Sequence, residues 1–231
     1  KGGSFTCLCG PSGGKTTILN ILAGYLMPDS GECLFDGKPV KGPGTDRLAV
    51  FQETTLFPWL TLWDNTLFGP KMQGKDLKQA AERARELINI SGLSGFETKY
   101  PRQLSGGMQR RAELIRVLLN QPKILLMDEP FRGLDAMTRA MMQEHFIKVF
   151  EATRTTMLLI TSELEETIFM GDTVYFLTAI PTKIKKEMSI NLPRPRTFEH
   201  QTTTQFAELQ EEAYEIMEEE ALKTFEFLPG K

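Results

Sequence analysis

The sequence predicts an α/β domain built on a mostly parallel β-sheet with helices on both faces. Three observations carry this. Short apolar runs of strand length alternate along the chain with longer stretches of helical periodicity. A glycine-rich turn joins the first such run to the first helical stretch. Runs such as Ile124-Leu125-Leu126-Met127 lack polar alternation, as strands covered on both sides do.

The elements follow in order. Residues 5–9 are an apolar run ending at a glycine, and residues 15–26 place Ile18, Leu19, Ile21, Leu22 and Leu26 on one broad helical stripe. Residues 48–51 read as a buried strand. Residues 76–90 are rich in Ala, Glu, Arg, Lys and Leu, the composition of a surface helix. Residues 108–119 form another helix, and the strand 124–127 lies between Pro122 and Pro130. Then come a helix at 136–150, a strand at 157–160, a short helix at 164–170 and a strand at 174–177. Residues 180–196 hold Pro181, Pro193 and Pro195 and read as a strand followed by an extended connection. Residues 204–222 are an acidic helix with Phe206, Leu209, Ala213, Ile216 and Met217 on one side; Glu218-Glu219-Glu220 is a solvated cluster on it.

The chain has 231 residues, enough to bury a real core in one large domain. With 41% hydrophobic and 25% charged residues it falls outside the disordered class. A net charge of −3 offers no basic face to a nucleic-acid duplex, so no nucleic-acid partner is expected. The longest uninterrupted apolar run is four residues, against the roughly 20 that a bilayer crossing needs. Lys1 stands first with no leader after it, so the natural start is expected upstream. Cys7, Cys9 and Cys33 give neither a disulfide framework nor a zinc site; Cys7 and Cys9 are expected in a strand core, in a reducing compartment.

Three stretches carry chemistry. The first is Gly10-Pro11-Ser12-Gly13-Gly14-Lys15-Thr16-Thr17, set between a strand and a helix. Such a loop cradles phosphate. Glycines let backbone N–H groups point inward, the helix N-terminus adds partial positive charge, Lys15 reaches the β- and γ-phosphates, and the Thr16 hydroxyl ligates Mg²⁺. Its spacing departs from the usual pattern: three residues, not four, separate Gly10 from Gly14. One residue spans about 3.3–3.6 Å of chain, far beyond what a hydrogen bond tolerates. Either the loop is truly short and binds nucleotide poorly, or the written sequence omits a residue that the molecule carries.

The second stretch is the apolar strand that ends at Asp128 and Glu129, before Pro130. Two acids at such a strand end call for a cation beside them. Asp128 suits Mg²⁺, and Glu129 suits a general base acting on water. The third is Leu104-Ser105-Gly106-Gly107-Met108-Gln109, a glycine pair at a helix start and a second potential anion site.

The Leu-Ser-Gly-Gly-x-Gln sequence, about 20 residues before the acidic strand, resembles the signature of the ABC ATPases. The phosphate loop, Gln52 in Val50-Phe51-Gln52-Glu53, the signature, Asp128-Glu129 and Leu134-Asp135 occur in that family's order over nearly the whole chain. The resemblance implies a P-loop NTPase core (residues 1–70 and 119–190), a helical signature subdomain (71–118) and an acidic C-terminal extension (191–231). It implies a head-to-tail dimer with a second ABC ATPase subunit, enclosing two ATP molecules with Mg²⁺. Lys15, Thr16, Gln52, Asp128 and Glu129 would face one ATP, with Thr16, Gln52 and Asp128 toward the metal. Ser105, Gly106, Gly107 and Gln109 would serve the ATP of the opposite subunit, and Asp135 would link the two sites. The aromatic segment 57–63, containing Trp59 and Trp63, would receive a transmembrane permease, either as an exposed groove or with its tryptophans in the core. A separate solute-binding protein and a place on the cytoplasmic face of the cell membrane complete the expectation.

The stretch 42–47, Phe57-Pro58-Trp59-Leu60-Thr61, and Leu192-Pro193-Arg194-Pro195-Arg196 resemble the importer ATPases for nitrate, sulfonate, taurine and bicarbonate. The chain also departs from the family. Where the family has a histidine against the γ-phosphate, this chain has Ser162, which implies slow hydrolysis. His145 and His200 are read as packing or surface residues. The aromatic residue that stacks adenine lies upstream of the phosphate loop in the family and is absent from the nine residues before Gly10. The competing expectation is a weakly hydrolysing or non-hydrolysing nucleotide-binding subunit with an assembly or regulatory role in an asymmetric dimer.

Overall fold

A computed structural model describes residues 2–11 and 13–226. Its centre is a six-stranded sheet in the order β4-β5-β6-β1-β7-β8. The strands are β1 (Phe5–Cys9), β4 (Arg47–Val50), β5 (Ile124–Asp128), β6 (Thr156–Thr161), β7 (Thr173–Leu177) and β8 (Ile184–Ser189). All neighbours run parallel except β7 and β8, which are antiparallel. A small antiparallel pair, β2 (Leu34–Phe35) and β3 (Lys38–Pro39), stands apart. The helices are α1 (Lys15–Ala23), α2 (Leu62–Met72), α3 (Leu77–Ile90), α4 (Gly106–Leu118), α5 (Ala136–Thr153), α6 (Leu164–Met170) and α7 (Thr204–Glu226).

Period-two alternation in the strands divides the core. Phe5, Cys7, Cys9, Leu125, Met127, Met157 and Leu159 share the large cluster with Phe146 and Phe150 of α5. Leu126, Leu158 and Ile160 face the other way, against Leu19 and Ala23 of α1. The central strands β5 and β6 are therefore covered on both faces and read as near-continuous apolar runs, whereas the edge strand β8, with Lys185, Lys186 and Glu187, is exposed. Burial pushes the Cys9 thiol up to about 12 and raises the Cys7 thiol well above its usual value, so neither is a nucleophile.

Helix α1 stops at Ala23, three residues short of the apolar stripe. Gly24 takes a left-handed φ of 83° and its N–H returns to Asn20 and Ile21. Helix α2 was not expected, because Gly69 and Pro70 lie within it and an aromatic run precedes it. Thr61 caps it, accepting the Asp64 N–H at 3.1 Å. The tryptophans then part company. Trp59 is 70% exposed, whereas Trp63 packs inward on the core with the Arg85 guanidinium 5.3 Å from its ring centre. The open-groove expectation is thus corrected for Trp63, which the first turn of α2 rotates onto the protein.

The Leu192–Arg196 run is a clamp. The buried Arg196 donates to the carbonyls of Ile168, Phe169 and Gly171, satisfying the C-terminal end of α6. Arg194 donates to Asp172 at 2.7 Å and stacks on Phe150 at 4.7 Å. Together they bring the chain to α7, whose apolar side (Phe206, Ala213, Ile216, Met217) joins the main core.

Candidate functional site

Strand register builds the site. Cys9 is level with Thr161, and Asp128 is level with Ile160, so Gly10, Glu129 and Ser162 emerge together at the carboxyl edge of three adjacent parallel strands. Crevices at such edges are where open α/β sheets bind ligands.

Gly14 begins α1 in a left-handed conformation, φ 75°, with no side-chain cap. The first-turn N–H groups of α1 therefore have no intrahelical acceptor and face the loop, a ready anion site. Lys15 is 6% exposed; its Nζ donates to Gly10 O at 2.9 Å and Pro11 O at 3.3 Å, and lies 3.5 Å from Glu129. A glycine-rich loop joins β1 to α1. Gly10, Pro11, Gly13 and Gly14 line it, and Thr17 follows on the exposed side of α1. Ser12 lies outside the described residues.

Thr16 Oγ1 donates to Asp128 Oδ2 at 2.8 Å. This joins a helix hydroxyl and a strand-end carboxylate into a pair of hard oxygen donors, a set that suits Mg²⁺ together with phosphate oxygens and water. Glu129 sits at φ 42°, rare for a residue with a side chain. Its N–H donates to Ile160 O at 2.8 Å and its carboxylate pairs with Arg132 at 2.9 Å and Lys15. Ser162 is exposed and shares with Glu129 a cavity of about 190 Å³. On its other side Ser162, Gly10 and Pro11 border a second cavity, about 520 Å³, closed by Tyr214 and Met217 of α7.

Gln52 follows β4 with its side chain exposed, while its carbonyl and that of Phe51 accept from Arg110 of α4. Ser105 caps α4, accepting the Met108 N–H at 3.3 Å, and Gly106 and Gly107 form the first turn. Gln109 turns its amide inward, donating to Pro101 O at 3.0 Å and Leu104 O at 3.1 Å, so it braces this turn. Asp135 caps α5 through the Thr138 N–H at 3.0 Å, and these hydrogen bonds hold its carboxyl below the usual range. Ser105, Gly106, Gly107 and Asp135 line one cavity of about 570 Å³, separate from that of Glu129 and Ser162. His145 is in its wall; burial first, then Arg111 and Lys148, bring its pKa down to about 4, so it is neutral. His200 accepts the Thr197 N–H at 3.1 Å in a turn before α7.

Four residues of these surroundings escape sequence reasoning. Arg110 and Glu113 are a buried ion pair on α4 at 2.8 Å that holds the chain after β4. Their three-residue spacing on the apolar side of a helix was the available signal. Asn65, fully buried, holds the 57–61 loop through Phe57, Leu60 and Thr61. Glu166 is buried in the wall of the cavity that Ser162 borders. Burial pushes its carboxyl up to about 7, with Glu163 adding to the rise and Thr161, Arg139 and Gln143 opposing it.

Comparison with known proteins adds the following. The family described as ABC transporter matches residues 1–132. A nitrate import ATP-binding protein of Synechocystis sp. is 44% identical over 192 residues, 83% of this chain and 72% of the relative. A taurine import ATP-binding protein of Pelagibacter ubique is 45% identical over 194 residues, 84% of this chain and 72% of the relative. Among solved structures, the ATP-binding cassette MJ0796, a dimer in a post-hydrolysis state with ADP and phosphate, superposes with a TM-score of 0.66 at 28% identity. That match covers 84% of this chain and 88% of the other.

Proposed function

The chain belongs to the ABC transporter ATP-binding family, and we propose that it is the subunit whose ATP hydrolysis drives a membrane importer for a small anion such as nitrate, sulfonate, taurine or bicarbonate. The observation that supports the nucleotide site is the 2.8 Å pairing of Thr16 with Asp128, with Lys15 and Glu129 beside it, at the start of an uncapped helix; the importer and its anion rest on the likeness to the nitrate and taurine import proteins.

On this reading Lys15 exchanges its loop carbonyls for the β- and γ-phosphate oxygens, and the α1 N–H groups hold the remaining phosphate charge. Mg²⁺, held by Thr16, Gln52 and Asp128, supplies neutralisation of the phosphate charge when bound. Glu129 accepts the proton of the water that attacks the γ-phosphorus as the bond to the β–γ bridging oxygen breaks. Ser162 offers one neutral hydrogen bond to the γ-phosphate. Ser105, Gly106 and Gly107 act on the ATP of a second ABC subunit, and Asp135 relates the two sites.

The permease contact is assigned to the surface around Trp59, where Trp59, Leu60, Asp64, Leu67, Phe68 and Met72 border a cavity of about 330 Å³. Among the described residues no helix is long and apolar enough to cross a membrane. The permease supplies that part, and a separate solute-binding protein selects the anion. The subunit then sits on the cytoplasmic face of the membrane.

Phosphate release by the purified chain, with and without Glu129→Gln, tests the reading. Loss of at least about 100-fold in kcat with retained ATP binding is expected; equal rates would remove Glu129 as the base. Mass spectrometry of the peptide spanning Gly10 to Thr17 decides the loop. A mass equal to that of the written sequence establishes the short form.

A further inference from the structure

We propose that Glu166 is a positioning residue of the nucleotide site, holding the turn that carries Ser162 and tying that turn to α5. The inference rests on the ATP site proposed above and deepens it.

Glu166 is 4% exposed in the first turn of α6. Its Oε2 accepts the Thr161 hydroxyl at 2.8 Å, and its Oε1 accepts the Gln143 amide at 3.1 Å. The Thr161 oxygen in turn accepts the Glu163 N–H at 3.1 Å. The carboxylate thus fixes the residues on both sides of Ser162 through one hydroxyl. The same side chain forms part of the floor of the cavity that Glu129 and Ser162 share.

A carboxylate is an expensive anchor in such a place. Burial raises its pKa to about 7, and the Glu163 charge works against it. An apolar residue would fill the volume at lower cost, so packing alone does not account for an acid here. What the acid adds is two directed acceptors, one toward β6 and one toward α5. Ser162 has a short side chain and carries no charge, so its contact with a phosphate depends on where the backbone of the turn lies. A misplacement of about 1 Å at a reacting centre costs as much as 100-fold in rate. Gln143 extends the link to the helix that Asp135 caps, so the turn and that cap share one rigid element.

The experiment is steady-state ATP hydrolysis by the full chain with Mg²⁺-ATP. The variants are Glu166→Ala, Glu166→Gln, Thr161→Val, Ser162→Ala and Glu166→Ala combined with Ser162→Ala. Glu166→Ala is expected to lower kcat about tenfold with KM for ATP changed less than about twofold, because nucleotide binding rests on α1. Glu166→Gln keeps a carbonyl acceptor for Gln143 and an amide that the Thr161 oxygen can accept, so it should recover most of the rate. Thr161→Val leaves Glu166 in place, cuts the same link and should reproduce the loss; it also serves if Glu166→Ala does not fold. In the Ser162→Ala background, Glu166→Ala should cost less than about threefold, since its effect passes through that residue. An equal loss in both backgrounds, or wild-type kcat in both Glu166→Ala and Thr161→Val, overturns the proposal. If the wild-type chain shows no hydrolysis sensitive to Glu129→Gln, the ATPase reading fails instead.

Discussion

Glu113 and Thr55, 58 residues apart in sequence, are joined at the Glu113 Oε1 atom, which accepts the Thr55 backbone N–H at 3.0 Å and also its hydroxyl. Glu113 is completely buried on α4, the helix that begins with Ser105 and the two glycines. Its other oxygen holds Arg110, which clasps the carbonyls of Phe51 and Gln52. The helix of the signature and the segment that follows Gln52 therefore form one mechanical piece.

Removing the Glu113 carboxylate leaves Arg110 buried without its counter-charge. Glu113→Ala should destabilise the chain by about 3–5 kcal/mol. Glu113→Gln also removes the counter-charge of Arg110 but still offers an oxygen to Thr55, so it should recover only the part of the loss that the Thr55 hydrogen bonds carry. Urea unfolding midpoints measure both. Equal and small effects would mean that the ion pair contributes little to holding the two segments together.

Ser162 sits beside Glu129 at the strand edge with room in front of it. On the proposed ATP site, replacing it with histidine adds a donor that can carry charge toward the γ-phosphate. Oxyanion-type donors are worth about 10²–10³ in rate. Ser162→His should therefore raise kcat at least about tenfold, read by phosphate release at saturating ATP. An unchanged or lower rate would show that hydrolysis here does not wait on this contact.

Trp59 is exposed in the isolated chain, so Trp59→Ala should shift its stability by no more than about 0.5 kcal/mol. If the permease docks there, the same change should weaken capture of a co-expressed permease at least about tenfold. Trp63→Ala, by contrast, should lower stability, because that ring packs on the core. Undiminished permease capture by Trp59→Ala would move the docking surface elsewhere.

Glu220, buried on α7, accepts the Ala179 N–H at 2.8 Å and pairs with Lys185 and Lys223. The Ala179 N–H first, then the two lysines, bring its pKa down to about 2, from 4.5. A folded-state pKa below the unfolded one stabilises the fold above the unfolded value, and that contribution is lost as pH falls through the folded value. Wild type should be more stable than Glu220→Gln at pH 7, and the gap should close progressively between pH 4.5 and about 2. Thermal melts across that range test it, and a gap independent of pH would assign the effect to packing. Glu220 also corrects the reading of 218–220 as a solvated cluster, since the β7–β8 turn folds over it.

Sequence alone determined the parts of this protein that depend on short-range order. The apolar runs marked β1, β5, β6 and β7, because strands covered on both faces carry few polar positions. Glycines before Lys15 and before Met108 marked two helix starts that can hold anions, and Asp128 and Glu129 marked the acidic strand end. Tertiary structure decided the rest, because the remaining relations are between residues distant in the chain. The register of β1, β5 and β6 brings Gly10, Glu129 and Ser162 to one edge. The inward turn of Gln109 and Trp63, the clasp of Arg110 and Glu113 on the Gln52 segment, and the burial of Glu166 in the wall of the Ser162 cavity depend on which helix packs where. Apart from the i,i+3 spacing of Arg110 and Glu113, no local pattern encodes such contacts. A buried charge looks like a surface charge until its partner, from another element, is in place.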